Sequence, residues 1–181
     1  MGIIQPIRGV KPICGVIFAK TVDCSKVIGQ LTEVLGAVDD QTPIFDFSFT
    51  DYYEEEMGGG LKKMFLSFAK CVHPGNLAKI KKKTNEIEDL WSVEGKRSIN
   101  LDPGYLSGAK LVLASTKDFA HRIYLSGGIY GDVQLQYRHN HFQPSHWTYP
   151  DYQTDLALSF FYRVREKYIR EEKIGGKADK I

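Results

Sequence analysis

The sequence predicts an α+β fold on a ferredoxin-like split βαβ core, an antiparallel sheet carrying two helices. Three observations carry this prediction. Strand-length apolar runs and amphipathic helical stripes follow the order strand, helix, strand, strand, helix, strand. Three further strand-like runs and one more helical stripe complete the chain as C-terminal strands and a C-terminal helix. No run approaches the roughly 18 apolar residues that span a bilayer, so no membrane partner is expected.

Pro12–Ala19 is a continuous apolar run with β-branched residues and reads as a buried central strand. Asp23 is the expected N-cap of a helix with Val27, Leu31, Val34 and Leu35 as its stripe, and Gly36 its expected stop. Across Ile44–Thr50, Phe45, Phe47 and Phe49 alternate with Asp46, Ser48 and Thr50. Met64, Leu66 and Phe68 alternate again, so the two runs read as a hairpin with a long charged tip. Asn76 is the expected cap of the clearest amphipathic helix, whose stripe is Leu77, Ile80, Thr84, Ile87 and Trp91. Lys79, Lys81, Lys82 and Lys83 lie mostly off that stripe, as a solvated face or a phosphate patch. Arg97–Leu101 reads as the closing strand, followed by a turn at Pro103-Gly104.

Three more strands are expected over 111–114, 122–125 and 133–137, as a cover for the sheet face left open. A last helix over 155–172 has Leu156, Phe160, Val164 and Tyr168 as its inward stripe. The expectation is one domain over 1–172 and a flexible tail over 173–181.

Apolar residues make up 43% of the 181, enough for a sizeable core. The net charge of +2 gives no global argument for nucleic acid or a membrane surface. Cys14, Cys24 and Cys71 are odd in number with no Cys-x-x-Cys, which supports neither a zinc site nor a disulfide framework. Residues 1–9, with two glycines and a proline, do not read as a signal peptide. A reduced, cytoplasmic protein is expected.

Four segments carry candidate chemistry. The tip from Thr50 to Gly58 gathers carboxylates and phenols, oxygen ligands suited to a divalent cation such as magnesium. Asp51 and Glu56 would share it; the plain alternative is a solvated acidic tip. Asn100 and Asp102 alternate onto one face, where Asp102 would be a general base or a ligand, or simply build a turn. Lys117 and Arg122 would neutralise phosphate, and His121 would transfer protons, unless it is a structural histidine on a strand. The stretch from His139 to Tyr152 concentrates histidines and aromatics. His139 and His141 would form half a metal site, Trp147 and Tyr149 would stack on a ligand or plug the sheet, and Asp151 would bind or cap the last helix. The phosphate loop, the dinucleotide fingerprint, the nucleophile elbow and His-Glu-x-x-His are all absent.

Thr50-Asp-Tyr-Tyr with Glu56-Met-Gly58, Asn100-Leu-Asp-Pro-Gly-Tyr105, Thr116-Lys-Asp with His121-Arg-Ile-Tyr124, and Trp147-Thr-Tyr-Pro-Asp-Tyr152 occur in this order. Together they resemble an uncharacterised prokaryotic family catalogued as domain of unknown function 4416, with members sometimes labelled GTP-binding. The resemblance covers nearly the whole chain. It implies that the four blocks matter together and brings no established activity. His139, His141 and His146 lie outside the blocks, which shifts the emphasis to Trp147 and the residues after it.

The expected function is therefore binding, with or without turnover, of a phosphorylated small molecule or nucleotide. His121 and Asp102 would be catalytic. Tyr52, Asn100, Lys117, Arg122, Trp147, Tyr149 and Asp151 would bind the ligand, with Asp51 and Glu56 on a divalent cation. The alternative is a non-catalytic adaptor or homo-oligomer with an aromatic partner surface.

Overall fold

The computed structural model describes residues 2–178, with side chains as far as 172. The fold is α+β. β1 (Lys11–Phe18) is buried along its whole length, as expected of a strand covered on both faces. In α1 (Cys24–Leu35) the Asp23 carboxylate accepts from the Ser25 N–H, and Val27, Leu31 and Leu35 form the buried stripe. Gly36, at φ 88°, terminates it.

β2 (Val38–Gln41) has no apolar alternation to announce it. It forms by pairing along the edge of a later strand. The strand expected over 44–50 contracts to β3 (Phe45–Asp46). Beyond it the chain turns in, so Phe47 is buried and Phe49 exposed. The tip winds into one turn, α2 (Glu54–Met57), and β4 (Lys62–Phe68) returns through the core.

Pro74 opens a short 3-10 turn capped by His73, whose Nδ1 accepts the Gly75 N–H. Asn76, the expected cap, makes no side-chain cap bond because it already lies inside the turn. α3 (Leu77–Leu90) buries Leu77, Ile80, Thr84 and Ile87 of the expected stripe, with Trp91 half-buried just past its end, but also Lys81 and Glu88.

A small hairpin, β5 (Ser92–Val93) with β6 (Lys96–Arg97), precedes β7 (Ile99–Leu106). No turn forms at Pro103-Gly104. Pro103 lies one residue before the pairing of β7 with the next strand begins, where its missing N–H is tolerated. β8 (Lys110–Ser115), β9 (Arg122–Ser126), β10 (Ile129–Arg138) and β11 (His141–Pro144) follow.

The sheet order is β11-β10-β8-β7-β1-β4-β2, with β3 added on β4 and β9 on β10. The C-terminal strands therefore widen the sheet beyond β7 and do not cover its open face. α4 (Asp155–Ala178) covers it. α1 and α3 pack on one side against Val16, Phe68 and Leu101. On the other, Ala157, Phe160, Phe161 and Val164 pack against Phe65, Leu106 and Leu135. Leu156, expected in that stripe, is only half-buried, and Ala157 takes its place. The tail expected over 173–181 is helical to Ala178; 179–181 lie outside the described residues. Among the described residues no helix is long and apolar enough to cross a membrane.

Candidate functional site

A cleft opens at one end of the sheet, where β1 and β8 end and β4 and β7 begin. It has two compartments of about 360 Å³ and 380 Å³, and Tyr52, Tyr53, Asp102, Lys117 and Tyr149 line both. Glu88, Arg97, Asn100 and Asp132 face the polar compartment. Phe47, Phe49 and Phe119 face the aromatic one, over Lys63 and Asp151.

Arg97 organises the polar compartment. Its Nε and Nη2 donate to the two Glu56 oxygens at 2.6 and 2.8 Å, and Nη1 donates to Glu88 and to Asn100 Oδ1, both at 3.1 Å. Glu88 also accepts the Leu101 N–H at 2.6 Å, and Lys81 donates to the Leu101 carbonyl at 2.7 Å. Hydrogen bonds from Arg97 hold the Glu56 carboxyl below its usual range. Burial pushes the Glu88 carboxyl up, against the pull of Lys81 and Arg97. Both Glu56 oxygens, expected beside Asp51 on a cation, are thus taken by Arg97, and Asp51 is exposed. A planar guanidinium offers Glu56 two charge-assisted bonds instead. Among the described residues no group of three or more His, Cys, Asp or Glu could hold a metal ion.

Lys63 dominates the other compartment. It is 1% exposed. Its Nζ stands 2.6 Å from Asp151 and 3.9 Å from Asp102, with the Phe47, Phe65 and Tyr152 rings at 5.2, 5.0 and 4.9 Å. Pairing makes such burial tolerable. Asp151 accordingly does not cap α4; the Thr154 hydroxyl accepts from the Ala157 N–H. Burial pushes up the phenols of Tyr53, Tyr152 and Tyr149, the last to about 12. At neutral pH they are O–H donors.

Arg122 ties the far wall together. Nε donates to Asp132 at 2.8 Å, Nη1 to the Ser115 hydroxyl at 2.6 Å and Nη2 to the Tyr149 hydroxyl at 3.0 Å. The loop so anchored carries Lys117 across the mouth, where Nζ donates to the Tyr52 hydroxyl at 2.8 Å.

Most of the charge here is mutually cancelled: Lys63 with Asp151, Arg97 with Glu56 and Glu88, Arg122 with Asp132. Two groups on the shared wall stand apart. Lys117 has no carboxylate partner among the described residues, and Asp102 has only the distant Lys63. Asn100 Nδ2 and Asp132 Oδ1 are buried at the polar compartment without a hydrogen-bond partner among the described residues. Such groups mark where a ligand or water belongs.

Of the residues expected at one site, Tyr52, Asn100, Asp102, Lys117, Arg122, Tyr149 and Asp151 meet in this cleft. His121 and Trp147 do not. His121 Nε2 lies 3.5 Å from Asp132 on the outer side, stacked on Trp147, and both line a separate depression. His121 is the last residue of the turn before β9, and both it and Arg122 approach Asp132 Oδ2, but only Arg122 lines the cleft. A turn closed by the Thr148 N–H on the Ser145 carbonyl at 3.1 Å carries Trp147 away from Tyr149. His139 sits in the hairpin turn at φ 50°, and its carbonyl lies 3.0 Å from His141 Nδ1.

Sequence reasoning missed Lys63, Glu88, Arg97 and Asp132, and read Lys81 only as part of a solvated face or a phosphate patch. Lys63 had one signal: a lysine on the same strand face as Phe65. The sequence model of one family, described as domain of unknown function (DUF4416), matches residues 8–168. No curated protein and no solved structure matches the chain.

Proposed function

For a chain that belongs to this family of unknown function, we propose that the cleft binds a small phosphorylated molecule with a planar part, such as a nucleotide. The observation that carries this reading is the convergence of the four sequence blocks on one cleft whose shared wall holds Lys117, without a carboxylate partner among the described residues, and Asp102, whose one cation, Lys63, stands 3.9 Å away and pairs more closely with Asp151. The ligand's phosphate pairs with Lys117. A hydroxyl or amino group donates to Asp102, and an acceptor meets Asn100 Nδ2. The planar part lies among Phe47, Phe49 and Phe119. Each compartment is within the range of small-molecule sites. Asp102 is the acid–base group of any turnover there. His121, outside the cleft, is not. Three free cysteines support a reduced, cytoplasmic setting.

A thermal-shift screen of nucleotides and sugar phosphates, with and without magnesium, tests the reading. A ligand of the folded state raises the Tm. Lys117→Ala weakens that ligand about tenfold, the scale of a charged hydrogen bond. A screen flat across every compound sinks the proposal. The second reading, an adaptor or homo-oligomer, is favoured by Ile123, Tyr124 and Leu125, exposed by 70, 57 and 42% on the edge strand β9. Light scattering of the wild type and of Ile123→Asp decides it, since a β9 seam predicts an oligomer that the aspartate dissolves.

A further inference from the structure

We propose that a second site, on the outer side of β10, stacks a nucleobase on Trp147 and holds its phosphate with Lys110 and Arg138. The depression measures about 450 Å³ and shares no lining residue with the cleft. Its ligand would occupy a different surface from that of the cleft, although Phe119 and Arg122, which back its platform, also line the cleft.

The platform is preorganised. Trp147 is 38% exposed, yet its indole is not free to swing. Nε1 donates to the Val133 carbonyl at 3.0 Å, and the ring stacks on His121 at 4.8 Å and 13°. His121 stacks in turn on Phe119 at 6.0 Å and 9°. Arg122 lies 4.7 Å over the Phe119 ring and is anchored on buried Asp132. A base added at the exposed indole extends a stack that is already ordered, so little side-chain entropy is lost on binding.

The charge around it has one sign. Lys110, Arg138 and His121 line the depression, and no carboxylate does. Among the described residues neither Lys110 nor Arg138 forms an ion pair, unlike Lys63, Arg97 and Arg122 of the cleft. The near balance of charge over the chain conceals this local excess. An aromatic platform beside unpaired cations is the chemistry that holds single-stranded nucleic acid. The same unit, a base with its phosphate, occurs in a strand and in a free nucleotide.

The test is fluorescence anisotropy of a labelled oligothymidylate of about ten nucleotides, with thymidine monophosphate titrated separately against tryptophan emission. The strand is expected to bind at low salt. Trp147→Ala should weaken it at least about fivefold, whereas Trp147→Phe should retain most of the affinity. Lys110→Ala with Arg138→Ala should flatten the log–log salt slope by roughly 0.7 for each phosphate no longer neutralised. Binding of the strand alone assigns the site to a strand; equal binding of the monophosphate assigns it to the nucleotide unit. Both support the stack. Absence of binding by either, or binding insensitive to Trp147→Ala in a variant of unchanged melting temperature, overturns it. So does strand binding lost in Lys117→Ala and kept in Trp147→Ala, which would assign the strand to the cleft.

Discussion

Lys63 lies in a strand buried on both sides, and its ammonium reaches water only through the cleft. The ion pair with Asp151 is what holds it there, and Gly15 leaves it room. A Cβ at Gly15 would stand 2.8 Å from the Tyr152 hydroxyl and 3.3 Å from Lys63 Cε. Lys63→Met strands the Asp151 carboxylate, so it should cost about 3–5 kcal/mol in urea unfolding. Adding Asp151→Leu should recover most of that loss, because an apolar pair avoids both desolvation penalties. If the double variant is as unstable as the single one, burial of the unpaired carboxylate is not the cause. Lys81 and Glu88 show the same logic on α3. A charge inside the core persists where a partner and a backbone group together satisfy it.

Among the elements, β7 depends on a close approach. A Cβ on Gly104 would run into the Val112 carbonyl and Leu113, and a backbone atom cannot step aside as a flexible side chain can. Gly104→Ala should therefore cost about 1–3 kcal/mol. Gly29 is the opposite case. It is exposed in the middle of α1 with nothing within 4 Å of the added carbon. Gly29→Ala should stabilise by about 0.5–1 kcal/mol, since alanine narrows the unfolded ensemble and favours helix. The two alanines make one comparison by thermal melting, with opposite signs expected. β9 and β11 lie end to end along β10. That leaves β9 as an edge and brings the loop before it, with Lys117, over the cleft mouth.

Over the whole molecule, acid sensitivity follows from where carboxylates are held. At the end of the sheet opposite the cleft, Asp39 Oδ2 lies 2.7 Å from buried Lys11 and 2.6 Å from Lys167 of α4. Burial acts to raise its carboxyl, but bonds from Lys11, Lys167 and Ser67 outweigh this and leave it lowered. Glu56 is lowered too, by Arg97. A carboxyl lowered in the folded state stabilises above its unfolded pKa, about 4, and loses that contribution as pH falls through the folded value. Glu88 is raised and has the opposite sign: its contribution is full at low pH and fades as pH climbs above about 4.5. The net expectation is a Tm that drops as pH is taken from about 5 to 3, with Asp39→Asn less stable at neutral pH and flatter on the acid side. An acid limb as steep in Asp39→Asn as in the wild type would remove Asp39 from the account.

What the sequence determined by itself is local. β1, α1, β4 and α3 were legible because periodicity and capping depend on neighbours along the chain, and the four blocks were legible as residue types in order. Val38–Gln41 carries no such pattern, and it is a strand only because β4 offers an edge to pair with. The tertiary structure decided which charges are buried and with whom. Arg97 takes Glu56 from a helix turn forty-one residues away, and this turned an expected cation site into an ion pair. It also decided direction. One backbone step separates Arg122, which lines the cleft, from His121, which does not, and two steps separate Tyr149 from Trp147. Charge pairing and side-chain direction are properties of groups brought together across the sheet, so strand pairing had to be known before the site could be drawn.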